Sequence, residues 1–118
     1  MRPEELAAAL VRRERRRRER AQGRAERLRR AVIDQLVAEL RAGRFERAWL
    51  IGSLAWGDVH ERSDVDVVVE GLAADEAGSL WNELSEASGV PVDLLRLEDL
   101  GESFRRRVET EGEAVHVP

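Results

Sequence analysis

The sequence predicts an α/β (α+β) domain, a small sheet between helices, preceded by a long helical segment at the N-terminus. Three observations predict it. Apolar residues recur at every fourth position from Leu28 to Leu40, the spacing of a helix packed on one side. The run VDVVVE, from Val65 to Glu70, alternates with the two-residue period of a strand. The elements follow one another as helix, strand, turn, strand, helix, strand, helix, with no internal repeat. At 118 residues the chain is large enough for one modest core and too small for two.

Pro3, Glu4 and Glu5 open the first helix, because proline is preorganised for a first turn and carboxylates favour the positive end of the helix dipole. Leu6, Leu10 and Val11 add a short apolar stripe. The run RRERRRRER that follows, from Arg12 to Arg20, has no apolar face and cannot pack in a core. Gly23 is expected to break or weaken the helix. That divides the chain into an arginine-rich extension over residues 1–23 and a domain over residues 24–118. Leu28, Val32, Leu36 and Leu40, with Ile33 and Val37 beside them, then form a packed amphipathic helix ended by Gly43.

AWLIG is a short apolar run halted by Gly52 and predicts a buried strand. In the strand VDVVVE, Val65, Val67 and Val69 share one face, while Asp64, Asp66 and Val68 share the other. The stretch from Asp75 to Ala87 reads as a helix with Ala77, Leu80, Trp81 and Leu84 inward. VPVDLL, from Val90 to Leu95, gives a third strand, and Pro91 sets its start near a sheet edge. Asp99 to Glu111 forms the last helix, capped by Gly112 and followed by AVHV. Trp49 and Trp81 are expected in the core; Trp56 either packs or flanks a ligand.

Composition removes several classes of function. With no cysteine there is neither a disulfide framework nor a thiolate metal site. No apolar run approaches a membrane span, and the N-terminus is charged where a signal peptide turns apolar, so the chain reads as soluble and cytoplasmic. All 20 basic residues are arginine, and tyrosine is absent. Residues 1–47 carry 15 arginines against 8 carboxylates, a balance of +7; residues 48–118 carry 5 against 16, a balance of −11. Such a split marks an interaction surface. The run from Arg12 to Arg20 is open to nucleic acid, but the interleaved Glu14 and Glu19 and the lack of aromatics weigh against a single-strand binder. A solvated helix face, or contact with an acidic partner, is the stronger reading.

The chemistry concentrates in GSLAWGDVHERSDVDV, from Gly52 to Val67. Asp64 and Asp66 lie on one face of one strand, about 7 Å apart along the chain. Like charges so placed repel unless a cation lies between them, and magnesium takes one or two carboxylates together with substrate phosphates. Asp93, in the third strand, can point to the same place. Three carboxylates from two strands can hold two metals, an arrangement suited to phosphoryl displacement. Gly52 and Ser53, with a short helical turn from Leu54 to Trp56, offer N–H groups and a hydroxyl to a phosphate, and Gly57 lets the chain leave that turn sharply. A phosphate-loop motif is excluded, since Asp58 and Val59 stand where lysine and serine are required, and no EF-hand pattern exists. His60 and His116 are expected to be exposed or locally bonded, because phosphoryl transfer of this kind needs no imidazole.

These residues resemble the G-S-x(10)-D-x-D signature of the polymerase-beta-like nucleotidyltransferase superfamily, with Asp93 in VDLL at the place of its third carboxylate. The chain is most similar to the minimal nucleotidyltransferases, from about Leu36 to the C-terminus, and FRRRVETEGEAVHV resembles that group's final helix and tail. Leu54 and Trp56 stand where such proteins often carry arginine. The resemblance implies a small mixed sheet flanked by helices. It implies that Gly52 and Ser53 hold the distal phosphates of a nucleotide, with Ser63 beside them in the nucleotide site. Asp64 and Asp66 would ligate Mg2+, and Asp93 would join the catalytic metal and help activate the attacking hydroxyl.

It further implies an antitoxin whose partner is a helical toxin of the higher-eukaryote-and-prokaryote nucleotide-binding class, modified by transfer of AMP from ATP to a tyrosine. The expected activity is therefore magnesium-dependent nucleotidyl transfer onto a hydroxyl of a partner protein. A chain this short has no room for an acceptor domain of its own, so a hetero-oligomer is expected. The alternatives are a module that neutralises a toxin by contact alone and a nucleic-acid-binding accessory protein.

Overall fold

β-Branched residues build the centre of the molecule. The computed structural model describes residues 2–51 and 65–118. Helix α1 spans Pro3–Arg41 and leads to β1 (Arg47–Ile51) and β2 (Val65–Glu70). Helix α2 (Ala77–Ser88), strand β3 (Val92–Arg96), helix α3 (Glu102–Glu111) and the short strand β4 (Glu113–Ala114) follow. Single 3-10 turns at Ala74–Glu76 and Leu97–Asp99 introduce α2 and leave β3. The strands form one mixed sheet in the order β3-β2-β1-β4. β1 pairs antiparallel with β2 and β4, while β2 pairs parallel with β3. The fold is thus a small mixed sheet flanked by helices, with β3 at an edge, where Pro91 predicted it.

Alternation sorts the side chains onto two faces. Ala48, Leu50, Val65, Val67, Val69, Val92 and Leu94 bury against Val32 and Leu36 of α1 and Leu80 and Leu84 of α2. On the opposite face Trp49, Ile51 and Val68 bury against Leu97 and Val108. Burying an aliphatic side chain of this size stabilises by about 1.5–3 kcal/mol, so these two clusters fix which face each strand residue occupies. The half-buried Arg44 ties the end of α1 to α2 through Glu83, through Glu39 at 3.2 Å and through Glu76 at 3.3 Å. The hydrogen bond to Glu83 is the main reason its pKa is raised above the usual arginine value. After β2 the chain turns at Gly71, whose φ of 90° brings it against Glu46, where a Cβ would lie 2.9 Å from the Glu46 side chain. Only glycine suits that turn.

Four expectations change. α1 runs unbroken through Gly23, because good helix formers on both sides outweigh a penalty of about 1 kcal/mol. Trp81 is 45% exposed instead of buried, since Leu80 and Leu84 already occupy the line of α2 that meets the sheet. The third strand begins at Val92 and the last helix at Glu102, later than their sequence signals. Glu113 and Ala114, expected only as a tail, pair with Leu50 and Trp49. Trp49 is buried and His116 is exposed, as expected. No helix among the described residues is long and apolar enough to cross a membrane.

Candidate active site

Strand pairing brings two of the three predicted carboxylates together. Asp66 and Asp93 are register partners across the parallel β2–β3 pair, and Ile51 partners Asp66 from the other side. Neighbouring strands lie about 4.8 Å apart. Val65, Val67 and Val92 turn into the core beneath α1 and α2, so alternation sends Asp66 and Asp93 to the other face, the one that holds Trp49, Ile51 and Val68. Asp66 is half-buried there and Asp93 is exposed.

The sequence explains this placement locally. A strand of alternating valines needs Val65, Val67 and Val69 in the core, which leaves position 66 on the α3 side of the sheet. In VPVDLL, Val92 and Leu94 go inward by the same rule and Asp93 goes with Asp66. The parallel register is the part that no local pattern encodes. Sequence reasoning also assigned no role to the apolar floor beside the pair. Ile51 and Val68 are buried neighbours of Asp66 in the sheet, and the alternation of both strands was the signal for them.

The chain leaves the sheet at Ile51 and returns at Val65, both at the end of the sheet where Asp66 lies. Gly52, Ser53, the turn from Leu54 to Trp56, Gly57, His60, Ser63 and Asp64 lie outside the described residues.

Like charges directly opposite one another in a sheet destabilise it. A divalent cation between the two strands reverses that sign. Among the described residues no three metal-ligating side chains gather at one point. The donors at hand are carboxylate oxygens alone, with no histidine in the pair, so the set fits magnesium and not a nitrogen- or sulfur-seeking metal. Asp93 forms no hydrogen bond or ion pair among the described residues, so its oxygens are open to a ligand.

A family model described as polymerase beta, nucleotidyltransferase matches residues 35–117, a span that holds all four strands and both aspartates. Solved structures share the fold. A toxin-antitoxin crystallised with AMP-PNP aligns with a TM-score of 0.62 at 24% identity, covering 73% of this chain and 73% of that one. The toxin-antitoxin MntA-HepT aligns with a TM-score of 0.55 at 21% identity, covering 74% of this chain and 71% of that one. At these identities the likeness is one of fold. No curated protein matches the chain.

Proposed function

The chain belongs to the polymerase-beta nucleotidyltransferase family, and we propose that it transfers AMP from ATP, with magnesium, to a hydroxyl of a partner protein, as the antitoxin of a toxin-antitoxin pair. The observation that carries this reading is the register of Asp66 against Asp93 at the sheet end to which the G-S-x(10)-D-x-D segment attaches. In this reading Asp64, Asp66 and Asp93 hold the metal and are the catalytic residues. Gly52, Ser53 and Ser63 bind the nucleotide. Bound magnesium would offset the charge of the triphosphate and stabilise the charge that develops on the attacking and leaving oxygens.

The chain's own residues supply the rest. Gly52 and Ser53 retain the distal phosphates that leave as pyrophosphate when the acceptor oxygen bonds to the α-phosphorus. Asp93 is exposed on the edge strand; in this reading it would accept the hydrogen bond of the acceptor hydroxyl and take up its proton as the oxygen bonds to phosphorus. The acceptor belongs to another chain. This one has no tyrosine, and the matched structures are toxin-antitoxin complexes, which supports a toxin as partner; in this reading it is of the higher-eukaryote-and-prokaryote nucleotide-binding class, as the sequence resemblance implies. Residues 24–118 form the transferase unit and residues 1–23 an extension of its first helix.

The test is calorimetric titration of ATP with magnesium and with EDTA. The wild type is compared with Asp66→Asn and Asp93→Asn, followed by intact mass measurement after incubation with the protein encoded beside the gene. ATP should bind at least about tenfold more tightly with magnesium, a difference of about 1.4 kcal/mol. Asp66→Asn should remove most of that gain. Asp93→Asn should retain more of it while abolishing transfer. The partner should gain the mass of one AMP unit per modified residue, with no gain on this chain. Equal affinity with and without magnesium would defeat the assignment, and partner capture without any mass gain would leave neutralisation by contact alone.

A further inference from the structure

The half of α1 that precedes the body carries a groove lined by guanidinium groups and by no carboxylate. Arg12, Arg13, Arg16 and Arg20 are all exposed and, with Ala9, line one shallow groove along the helix. At 3.6 residues per turn they fall within about 100° of arc. Of the two glutamates that interrupt the run in the sequence, Glu19 lines no part of the groove, and Glu14 is engaged elsewhere: it accepts a hydrogen bond from Arg17 at 2.8 Å and meets Arg18 at 3.4 Å. Arg12, Arg13, Arg16 and Arg20 have no hydrogen bond or ion pair among the described residues. Leu28 is the first residue of α1 packed on the core. Arg16 therefore stands about 18 Å along the helix from the body, beyond the screening length of about 8 Å. The acidic half of the chain does not cancel the stripe.

We propose that this face of α1 binds the phosphate backbone of duplex DNA without regard to sequence. The proposal rests on α1 alone and is independent of nucleotidyl transfer. Three features select this occupant. A protein partner needs a buried apolar or aromatic centre in its contact; Leu6, Leu10 and Val11 are exposed on α1 but line no part of this groove, which offers only Ala9 among arginines. A single strand is held by aromatic stacking platforms, and no aromatic residue precedes Phe45. Phosphates ask only for charge and hydrogen-bond donors. A helix about 10–12 Å across also fits the major groove of B-form DNA, about 12 Å wide, whereas the major groove of duplex RNA is too narrow.

The experiment measures fluorescence anisotropy of a labelled random-sequence duplex of about 20 base pairs with the full chain, in EDTA to silence the nucleotide site. Four neutralised phosphates predict a loss of roughly 100-fold in affinity between about 50 mM and about 200 mM salt. The fourfold variant Arg12→Gln, Arg13→Gln, Arg16→Gln, Arg20→Gln, close to arginine in helix propensity, should bind at least about tenfold more weakly at the lower salt, with a flatter salt dependence. The corresponding four Arg→Lys substitutions should retain most of the binding, which separates lost charge from lost fold. Unchanged binding by the Gln variant, no binding by the wild type, or equally tight binding to single strands would overturn the proposal. Sedimentation velocity adds one more overturning result: arginine-dependent self-association without DNA binding would assign the stripe to a second copy of the chain.

Discussion

Arg47 and Glu70 show how a single residue pair adds stability at the end of two central strands. They are register partners on β1 and β2, and the guanidinium donates to both carboxylate oxygens at 2.8 and 3.0 Å while its Cζ lies 4.9 Å from the centre of the Trp49 ring. The hydrogen bonds from Arg47 hold the Glu70 carboxyl below its usual pKa, against a smaller opposing effect of burial. A folded-state pKa below the unfolded one means that the contribution is present above the unfolded value of about 4.3 and fades as pH falls through the folded value. Arg47 is half-exposed, so solvent screens the pair and its worth is about 0.5–1 kcal/mol. Glu70→Gln should therefore lower the melting temperature by about 2–5 °C at pH 7. The gap to wild type should narrow steadily as the pH drops from about 5 towards 3. A gap that stays constant over that range would show that the ion pair contributes nothing and that the substitution acts by shape.

At the level of elements, what the sequence shows best is periodicity and what it shows least is partnership. Val65–Glu70 is a strand to the residue because alternating β-branched side chains admit no other packing, and Gly43 ends α1 because its φ of 76° suits glycine. Glu113 and Ala114 carry no strand pattern; they pair only because α3 delivers them beside β1, a long-range fact. The same holds at the candidate site. The face of Asp66 was legible from alternation and that of Asp93 from its apolar neighbours, yet their adjacency depends on a parallel crossover that no local signal carries. For Gly52, Ser53, Ser63 and Asp64 the motif alone carried the reading. Gly23 weakens the helix without breaking it, because helix propensity is a sum over a window and one weak residue does not decide it. The helix pays for that residue all the same. A Cβ at Gly23 would meet nothing nearer than the Arg27 guanidinium at 3.5 Å, so Gly23→Ala should stabilise the protein by about 0.5–1 kcal/mol if the helix unfolds together with the body. Urea melts by circular dichroism would register this as a higher midpoint with an unchanged slope. No gain would mean that the N-terminal half of α1 frays before the core unfolds.

The molecule as a whole is a small body with a long arm. Its longest dimension is 63 Å against 29 and 26 Å for the others, and its radius of gyration is 17.9 Å, where a compact chain of this length has about 13.5 Å. The arm accounts for the difference: α1 has 39 residues, about 58 Å of helix, and no described residue before Val32 is buried. Isolated, such a segment would be marginal, because helix nucleation is costly. Here the packed turns from Leu28 onward supply the nucleus, and each further residue adds its own hydrogen bond. The arm thus depends on the body for its helix, while the body takes nothing from the arm. Deleting residues 1–20 removes 8 arginines and 4 glutamates and, among the described residues, no core contact. The truncated chain should unfold cooperatively with a melting temperature within about 3 °C of the full chain. Its radius of gyration by small-angle scattering should fall towards about 13 Å, and its magnesium-dependent affinity for ATP should change by no more than about twofold. A truncated protein that stays folded but loses ATP binding would place part of the nucleotide site on the arm. One that does not fold would show that the arm stabilises the body, contrary to the buried clusters that hold it together.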